Sequence, residues 1–385
     1  MPKTKLFIEA SAICETRISG VGQVTLSTII ELAKNDAFLQ RFKIVLLIPS
    51  GTRGSLQQHS LPMHNVETKV IHLEKHIFHR LLVYRLLPPM DLLFGKGIYL
   101  FPNFKNWPVY HSNSLTYIHD VAFRLYPETV QRKNLKMLKH NVPLWVKRTT
   151  RIITVSSSSK QEIIHELGVD TDKVNVVPNG VDTTYFRPMP KIETDDIKQQ
   201  YGIQGNYLLY VGNIEPRKNI SRLLDAYAGL PENLRDEYSL VLVGGGGWGK
   251  DDIESKIVTL QGDGFNIIRP DVYVPDAHLP YLYSGASLLT HVALHEGFGL
   301  SVLQAMACKT PVLASDIAVL HEVADLAATY VNPLKISDIT DKMSTVLQDK
   351  KLQQRLITLG TKRVAEYSWK ESSKKLVKII ERLDR

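Results

Sequence analysis

A carboxylate and a neutral amide lie eight positions apart in the stretch HEGFGLSVLQAM, residues 295–306. Glu296 comes directly before Gly-Phe-Gly, and Gln304 follows in a run of good helix formers. Glycine allows a backbone to approach a ligand closely, and the first N–H groups of a helix attract anions. The stretch therefore predicts a loop that holds a charged acceptor at the start of a helix and a neutral hydrogen-bonding group inside it.

Two adjacent cations lie in the stretch VGNIEPRKN, residues 211–219, between an apolar strand and a helical pattern. Arg217 can bind a phosphate through two nitrogen atoms, and Lys218 adds a second full charge. Gly212 lets the backbone come close to a ligand, and the next helix directs its positive end to the same place. Together these residues predict a diphosphate clamp that needs no metal ion. The alternative is a solvated Arg-Lys pair in a turn.

Three further loops could contribute to a binding site. The stretch SGVG places Gly20 and Gly22 at the start of a helix, and VGGGGWG places Gly244 after a strand. Both could approach a phosphate, but glycines also make turns and flexible connections. His119 and Asp120 end the strand LTYI. A histidine there could contact a ligand or bond the local backbone, and the aspartate could orient it or cap the next turn.

Short apolar strands alternate with helical patterns along the chain, in two blocks. The first block has KLFIEA, KIVLLIP, GIYLFP, LTYIHD, RIITVS and VNVVPN, and the second has YLLYVG, SLVLVGGG, IIRPDVYV, SLLTHVA, PVLAS and TYVNP. This alternation predicts an α/β fold of two doubly wound, Rossmann-like domains. The segment FRPMPKIETDDIKQQYG, rich in proline and charge, predicts the linker between them. Ligands of such sheets bind at the carboxyl ends of the strands, so the loops described above could line one cleft.

The composition is ordinary for a globular protein, with 385 residues of which 44% are apolar. No segment is apolar for long enough to span a bilayer, and the first residues resemble a strand more than a secretory signal. Cys14 and Cys308 lie far apart, so a disulfide framework is not expected and a reducing cytosol fits. No metal-ligand spacing is present, and no metal is predicted.

The net charge of +8 is unevenly distributed, because residues 1–180 hold 23 Lys and Arg against 13 Asp and Glu. A basic N-terminal half predicts an anionic partner, such as a membrane surface, a phosphorylated acceptor or nucleic acid. The alternative is a solvated basic surface without a partner. Nucleic acid is disfavoured, since no recognition module is present.

Several motifs together resemble the retaining glycosyltransferases of family 4, which have the GT-B fold and transfer a sugar from a nucleoside diphosphate. The motifs are VGNIEPRKN, VPNGVD (177–182), PDAHLPYLYSGASLLTHVALHEGFGLSVLQAMA (275–307) and YSWKESSKKL (367–376), with YIHDVAF (117–123) and SGVG resembling the loops of the acceptor domain. The resemblance covers nearly the whole chain. It implies an acceptor-binding domain over residues 1–188, a nucleotide-sugar domain over 189–366, and a final helix over 367–385 that crosses back to the first domain.

The resemblance also implies roles for individual residues. Arg217 and Lys218 would bind the diphosphate and stabilise the leaving nucleotide, and Glu296 would bind the hydroxyls of the donor sugar. His119 would contact the sugar near the reacting centre. The remaining donor contacts would come from Gly20, Gly22, Gly212, Gly244, Phe298, Gly299 and Leu300.

Gln304 departs from the pattern of the family, which has a second glutamate that binds the ribose of the nucleotide. Glutamine keeps the acceptor oxygen but loses the charge. Neutral hydrogen bonds are weaker than charged ones, so the expected loss is about 1 kcal/mol of nucleotide binding. This would weaken the enzyme without abolishing its chemistry.

The resemblance is closest to bacterial mannosyl- and rhamnosyltransferases of surface polysaccharides, and it implies a metal-independent hexosyl transfer with retention. GDP-mannose is the expected donor, with UDP- or dTDP-sugars as alternatives. The acceptor would be a glycan or a lipid-diphosphate-linked saccharide. The enzyme would be cytoplasmic and could lie on the inner face of the cell membrane through residues 76–94 or 131–151, which mix cations with apolar residues; alternatively, both segments pack on their own domain.

Two other interpretations stay open. A non-catalytic GT-B protein that binds a nucleotide sugar or a glycan would explain Gln304, but Arg217, Lys218 and Glu296 are all retained. A related GT-B enzyme, such as a sugar-nucleotide epimerase or a glycogen-type synthase, fits the basic N-terminal half less well.

Overall fold

The chain folds into two compact α/β units in a computed structural model. It describes residues 2–15, 17–52, 54, 56, 61–73, 75–84 and 86–384, except for the side chains of Lys75, His76 and His79. The first unit comprises Met1–Arg124, Arg132–Gly180 and Trp369–Arg385, and the second comprises Leu125–Gln131 and Val181–Ser368. The sequence placed the division at residue 188 and did not anticipate that residues 125–131 belong to the second unit.

The first unit is built on a parallel sheet of seven strands. The strands are β1 (Thr4–Glu9), β2 (Phe42–Pro49), β3 (Val66–Ile71), β4 (Ile98–Phe101), β5 (Asn113–Tyr117), β6 (Arg151–Thr154) and β7 (Val174–Val176). Their order is β3-β2-β1-β4-β5-β6-β7. Strands β2 and β3 are added on one side of β1 and β4 to β7 on the other, so the order of strands reverses between β1 and β4. Helices connect the strands, namely α1 (Gly20–Ala33), α2 (Asp36–Arg41), α3 (Lys75–Val83), α4 (Met90–Phe94), α5 (Ala122–Leu125), α6 (Arg132–Arg148) and α7 (Ser157–Leu167).

The second unit repeats this plan with a parallel sheet of six strands. These are β8 (Asn206–Val211), β9 (Tyr238–Val243), β10 (Ile267–Ile268), β11 (Leu288–His291), β12 (Val312–Ser315) and β13 (Thr329–Val331), in the order β10-β9-β8-β11-β12-β13. Its helices are α8 (Lys191–Gln200), α9 (Ile220–Ala228), α10 (Glu232–Glu237), α11 (Lys250–Gly262), α12 (Leu279–Gly285), α13 (Leu300–Ala307), α14 (Ala318–Ala324), α15 (Ile336–Gln348) and α16 (Lys350–Val364). The predicted fold class, two doubly wound parallel sheets, is confirmed.

The last helix, α17 (Trp369–Leu383), belongs to the first unit and packs beside α1. Arg41 forms ion pairs with Glu381 at 2.9 Å and with Asp384 at 3.3 Å. The amide of Asn113 donates a hydrogen bond of 2.9 Å to the carbonyl oxygen of Leu383. These contacts fix the end of the chain on the same unit as its beginning.

Two local predictions were wrong. The proposed linker, residues 186–202, is mostly the helix α8, which packs on α12 and has Thr194 buried. Pro190 precedes its first turn and helix formers fill it, so the charge that suggested a linker covers its exposed face. The strand expected over IIRPDVYV is confined to Ile267–Ile268. The pattern also did not predict β3, which has three polar residues in a row and only Ile71 buried.

The segment 131–151 forms α6, and several of its apolar side chains are buried. Leu138, Val142, Trp145 and Val146 are buried. This burial supports the interpretation that the segment packs within the protein, rather than the alternative that it lies on a membrane. Of the other segment, 76–94, Arg85 lies outside the described residues. Among the residues that the structure does describe, no helix combines the length and the apolar character needed to cross a bilayer.

Candidate active site

Two neighbouring strands of the second sheet carry the predicted ligand loops. β8 and β11 run parallel, so the loops after them, residues 212–219 and 292–299, leave the same edge of the sheet. The backbone N–H of Leu294 donates to the carbonyl oxygen of Arg217 at 2.8 Å. The amide of the buried Asn219 donates to the carbonyl oxygen of Val292 at 3.0 Å. These hydrogen bonds hold the two loops side by side.

The side chains of the two loops meet in a compact ionic cluster. Arg217 donates through Nη1 to the carbonyl oxygen of His295 at 2.7 Å and to Oε2 of Glu296 at 3.3 Å. Its Nη2 donates to Oε1 of Glu215 at 2.8 Å. Lys218 donates through Nζ to Oε1 of Glu296 in a short hydrogen bond. The sequence predicted three members of this cluster, Arg217, Lys218 and Glu296, but did not single out Glu215.

Glu296 is ionised in this setting although it is only 8% exposed. Burial alone would raise the pKa of its carboxyl group. The charges of Lys218 and Arg217 and the nearby His291 outweigh burial and hold the pKa of Glu296 well below its usual value. The two cations are thus balanced by two carboxylates, those of Glu296 and Glu215.

His291 is a buried member of the site that the sequence did not single out. It is the last residue of β11, and its Nε2 lies 3.2 Å from Oε1 of Glu296. On the other side of the ring, Nδ1 lies 3.1 Å from Oγ of Ser301, in the first turn of α13. No sequence signal was available, because His291, Glu296 and Ser301 are close in the sequence but the path of the loop between β11 and α13 decides which side chains meet.

The glycine-rich loop after β9 lies against the loop after β8. Gly244 has φ 150°, and a Cβ atom there would lie 1.9 Å from the carbonyl oxygen of Gly212. The N–H of Gly212 donates to the carbonyl oxygen of Val243 at 2.9 Å, and that of Ile214 donates to Gly245 at 2.9 Å. The close backbone approach that these glycines permit is therefore made to the neighbouring loop.

The Gly-Phe-Gly stretch leads directly into α13. Gly299 has φ 97° and caps the helix, and a Cβ atom there would lie 2.8 Å from the side chain of Leu320. Phe298 is buried and packs edge-on against Tyr367, with ring centroids 5.7 Å apart. Leu300 is partly buried at the first position of the helix. Phe298 is thus fixed by packing, and the first turn of the helix beside it, Leu300 and Ser301, is partly buried.

Gln304 lies one turn further along α13 and is partly buried. Its Oε1 accepts a hydrogen bond of 3.0 Å from the hydroxyl of Tyr283, a fully buried residue of α12. The sequence did not predict this partner. Oε1 has a second lone pair, and the amide nitrogen adds donors, so the side chain can still bond a ligand.

The structure places the other predicted site residues in the first unit. His119 is partly buried, and its Nε2 donates to the carbonyl oxygen of Pro102 at 2.8 Å, so the proton lies on Nε2. Burial lowers the pKa of His119, against the opposing effects of that hydrogen bond and of Asp120. Asp120 caps the following helix by accepting the N–H of Ala122 at 3.0 Å.

Gly20 and Gly22 begin α1, as predicted. The N–H of Gly22 donates to the hydroxyl of Ser19 at 3.3 Å, and a Cβ atom at Gly22 would lie 2.3 Å from the side chain of Ile18. Gly20 is exposed, and a Cβ atom there would meet nothing within 4 Å. The packing of the loop on the helix explains Gly22, while only Gly20 has open space in front of it.

An open groove in the first unit was not predicted. It lies at the carboxyl ends of β1 to β4 and has a cavity volume of about 120 Å³. Its walls are apolar and aromatic, with Phe78, Leu82 and Trp107 among them, and Glu9 and Lys105 add charge. The groove could hold a ligand with an apolar face and a few polar groups.

The segment 125–131 reaches the ionic cluster of the second unit. The ring of Tyr126 lies against that of His295, with centroids 5.5 Å apart. The indole nitrogen of Trp248, in the glycine-rich loop, donates to the carbonyl oxygen of Thr129 at 2.9 Å. Neither contact could be inferred from local sequence, because each joins residues more than a hundred positions apart.

Among the described residues, no group of three or more His, Cys, Asp and Glu side chains comes together as a metal site. The residues that the structure brings together in the second unit are Gly212, Arg217, Lys218, Gly244, Glu296, Phe298, Gly299, Leu300 and Gln304. His119, Gly20 and Gly22 belong to the first unit.

Comparison with protein families finds a match for each half of the chain. Residues 193–363 match the sequence model described as glycosyl transferases group 1, and residues 18–185 match that described as glycosyltransferase family 4.

Two relatives and one solved structure extend these matches. The O-antigen chain mannosyltransferase B of Escherichia coli is 33% identical over 274 residues, which cover 71% of either chain. The O-antigen chain mannosyltransferase RfbU of Salmonella typhimurium is 31% identical over 59% of this chain and 58% of its own length. The crystal structure of Anabaena HepE in complex with UDP and glucose superimposes with a TM-score of 0.74 at 17% identity, over 98% of this chain and all of that one. The last likeness concerns the fold alone.

Proposed function

The chain belongs to the glycosyltransferases of group 1 and family 4, and on this premise we propose that it transfers a hexose from a nucleotide sugar to a glycan or a lipid-diphosphate-linked saccharide. The predicted enzyme class, a glycosyltransferase, is confirmed by this membership. The sugar, the nucleotide, the stereochemistry and the acceptor are the content of the proposal. The enzyme would work without a metal ion.

The observation that carries the proposal is the cluster of Arg217, Lys218 and Glu296. Two cations and one buried carboxylate occupy the carboxyl ends of adjacent strands, next to the start of α13. A nucleotide sugar needs both kinds of group, cations for its diphosphate and an acceptor for its sugar hydroxyls. On binding, the phosphates would take over the cations, and the hydroxyls would bond Glu296.

The same groups would stabilise the transition state. Charge builds up on the departing diphosphate as the glycosidic bond breaks, and Arg217 and Lys218 are preorganised to receive it. We expect the acceptor to attack from the face that the nucleotide leaves, with the diphosphate oxygen taking the acceptor proton. The protein would contribute position and charge. His119, with its neutral ring, would contact the donor sugar, and Gln304 the ribose.

Mannose from GDP-mannose is the donor that we favour. Its support is that both relatives described above are mannosyltransferases of O-antigen chains. The chain spans 71% of one and 58% of the other, so their substrates are a guide to the first trial rather than a finding about this protein. UDP- and dTDP-sugars remain the alternatives to be tried beside it.

The acceptor would bind the first unit, where the groove beside Phe78 and Trp107 offers apolar and charged walls. A saccharide ring can lie on an aromatic face while Glu9 and Lys105 bond its hydroxyls or a phosphate. This placement is compatible with either a free glycan or a lipid-linked one.

A membrane surface is the further partner that we propose for the first unit, which would place the enzyme on the cytoplasmic side of the cell membrane. Five large apolar side chains within one stretch are exposed, namely Tyr84, Leu86, Leu92, Leu93 and Tyr110. The first 180 residues also carry the excess of Lys and Arg. Apolar groups that insert and cations that attract anionic headgroups are the two requirements of interfacial binding.

The test is donor hydrolysis and transfer across a panel of GDP-, UDP-, ADP- and dTDP-sugars, with wild-type protein and Arg217→Ala. Arg355→Ala serves as the matched control, because Arg355 is an exposed arginine of the same unit. Turnover of a nucleotide sugar that is lost in Arg217→Ala but kept in the control is the expected result. Binding without turnover of any donor would instead favour a non-catalytic nucleotide-sugar-binding protein.

A further inference from the structure

His291 is a buried histidine in the site for which the proposed function gives no role. Only 3% of its surface is exposed, and its two ring nitrogens face two different partners. Nδ1 lies 3.1 Å from the hydroxyl of Ser301, and Nε2 lies 3.2 Å from Oε1 of Glu296 without meeting the geometry of a hydrogen bond. Burying the polar ring of His291 costs free energy of desolvation, so its position needs a physical explanation.

The position of the proton on the ring follows from its partners. An ionised carboxylate can only accept hydrogen bonds, so the nitrogen that faces Glu296 should carry a hydrogen. In a neutral ring, Nδ1 is then the acceptor, and the hydroxyl of Ser301 donates to it. Ser301 thereby selects the tautomer of His291 that can donate to Glu296.

The need for this donor arises when the substrate binds. In the structure, Lys218 and Arg217 donate hydrogen bonds to the carboxylate of Glu296. Under the proposed function, both cations turn to the diphosphate, and Glu296 would lose part of its compensation while still buried. His291 lies on the other strand of the pair, away from the loop that carries the cations, and so keeps its place.

We propose that His291, held in its Nε2–H tautomer by Ser301, is a positioning residue that keeps the carboxylate of Glu296 aimed at the donor sugar while Arg217 and Lys218 bind the diphosphate. This inference rests on the proposed function for the identity of the ligand. The arrangement of Ser301, His291 and Glu296 can be tested without any ligand.

Other charged or titratable groups also face Glu296. Arg217, Lys218 and Glu215 come from the loop after β8, and Tyr210 comes from β8 itself. His295 precedes Glu296 in its own loop. A pH effect of His291 must therefore be measured as a difference between variants that leave all of these groups unchanged.

The first experiment uses the ligand-free protein and the ¹⁵N resonances of its histidine rings. The His291→Gln variant identifies the signals of His291 among the 13 histidines. At neutral pH we expect the Nε2–H tautomer in the wild type, a shift of the Nδ1 resonance in Ser301→Ala, and a shift of the Nε2 resonance in Glu296→Gln. A hydrogen on Nδ1 in the wild type, or resonances insensitive to both variants, would overturn the inference.

The second experiment measures kcat and KM for the best donor of the panel against pH. Ser301→Ala should lower kcat/KM by roughly 3- to 10-fold, as expected for one hydrogen bond, with an unchanged Tm, while Ser301→Thr should retain the wild-type value. His291→Leu should lose more than His291→Gln, whose amide can still donate to Glu296.

The acid limb of the pH profile separates positioning from mere packing. Because His291 helps to lower the pKa of Glu296, weakening it should move the acid limb of kcat/KM to higher pH in Ser301→Ala. An acid limb at the same pH as in the wild type would contradict the inference. If His291→Leu does not fold, the partly exposed Ser301 still carries the test. If the wild type turns over no nucleotide sugar, the proposed function fails, and the ligand-free spectra still decide the role of His291.

Discussion

Tyr283 donates a hydrogen bond of 3.0 Å to the side-chain carbonyl of Gln304. Burial raises the pKa of the Tyr283 hydroxyl well above its usual value, so this group remains a donor. An amide and a carboxylate at position 304 would both accept its hydrogen. The hydrogen bond from Tyr283 would therefore hold the side chain at position 304 in either case. Glutamine and glutamate at this position differ mainly in the charge that they offer to a ligand.

Gln304→Glu should tighten the binding of the donor nucleotide by several-fold. A carboxylate forms stronger hydrogen bonds to ribose hydroxyls than an amide oxygen does, and the gain is about 1 kcal/mol. Calorimetric titration of the wild type and the variant with GDP, UDP and dTDP measures it. Gln304→Ala should weaken binding and lower turnover only modestly. Equal affinities of Gln304→Glu and the wild type would remove residue 304 from the ribose.

Arg217→Ala should reduce turnover by about 100-fold or more, far beyond the loss in Gln304→Ala. The guanidinium is expected to stabilise charge that develops only in the transition state, so kcat should fall more than KM rises. Steady-state kinetics with saturating acceptor provide the measurement, and Arg355→Ala should be unchanged. Similar losses at positions 217 and 304 would contradict the assignment of Arg217 to the diphosphate.

Glu296→Gln should destabilise the protein at neutral pH by about 1–3 kcal/mol, because it removes the carboxylate that pairs with Lys218 and leaves Arg217 with Glu215 alone. The pKa of Glu296 is depressed in the folded state, so its contribution is present above the ordinary value of 4.5 and is lost as the pH falls toward the folded pKa. The difference in the free energy of unfolding between the wild type and Glu296→Gln should therefore become smaller at acidic pH. Urea denaturation at a series of pH values shows this, with the exposed Glu366→Gln as a control that stays near zero. A gap that is the same at every pH would argue against an ionised Glu296.

Gly244→Ala should cost at least about 2 kcal/mol of folding free energy and abolish donor binding. The added methyl group would lie 1.9 Å from the carbonyl oxygen of Gly212, at a backbone angle that side chains rarely adopt. Gly245→Ala is the matched control, since its methyl group would meet only Asn213, at 3.5 Å. Thermal unfolding and nucleotide titration of both variants distinguish the two positions. Equal stability of the two would show that the loops can separate freely.

The double variant Leu92→Ser/Leu93→Ser should weaken binding to vesicles that contain an anionic phospholipid by 10-fold or more, roughly as expected from burying two leucine side chains. Sedimentation with vesicles of phosphatidylglycerol and phosphatidylcholine gives the bound fraction, which should also fall with added salt. Ile192→Ser, which removes an equally exposed apolar side chain from α8, should bind as the wild type does. If the double variant also binds as the wild type, the exposed stretch does not contact the membrane.

The part of the site that the sequence revealed is the part encoded locally. Arg217, Lys218 and Glu296 lie in loops whose flanking strands and helices can be recognised from the pattern of apolar residues. Parallel strands then place those loops on one edge of a sheet by geometry alone. The same reasoning predicted both sheets, but it missed β3, where three consecutive polar residues separate Val66 from Val70 and only Ile71 is buried.

The part that the sequence could not reveal depends on side-chain contacts between distant segments. The hydrogen bond from Tyr283 to Gln304 exists because α12 and α13 pack side by side, and the contacts of His291 exist because the loop after β11 turns back over that strand. No periodicity in one segment carries information about a single partner in another. The prediction of a linker over residues 186–202 was wrong for a related reason. The charged residues of α8 form the exposed face of a helix and do not indicate an absence of structure.

Neither compact unit is a single continuous segment of the chain. A cut after Gly180 would give an N-terminal fragment without α17 and a C-terminal fragment without residues 125–131, whose Tyr126 lies against His295. Neither fragment would hold a complete domain. A chimera of two relatives joined at that point would therefore combine the final helix and residues 125–131 with units that come from the other protein. A chimera that respects the folded units must carry residues 125–131 with the second unit and the last helix with the first.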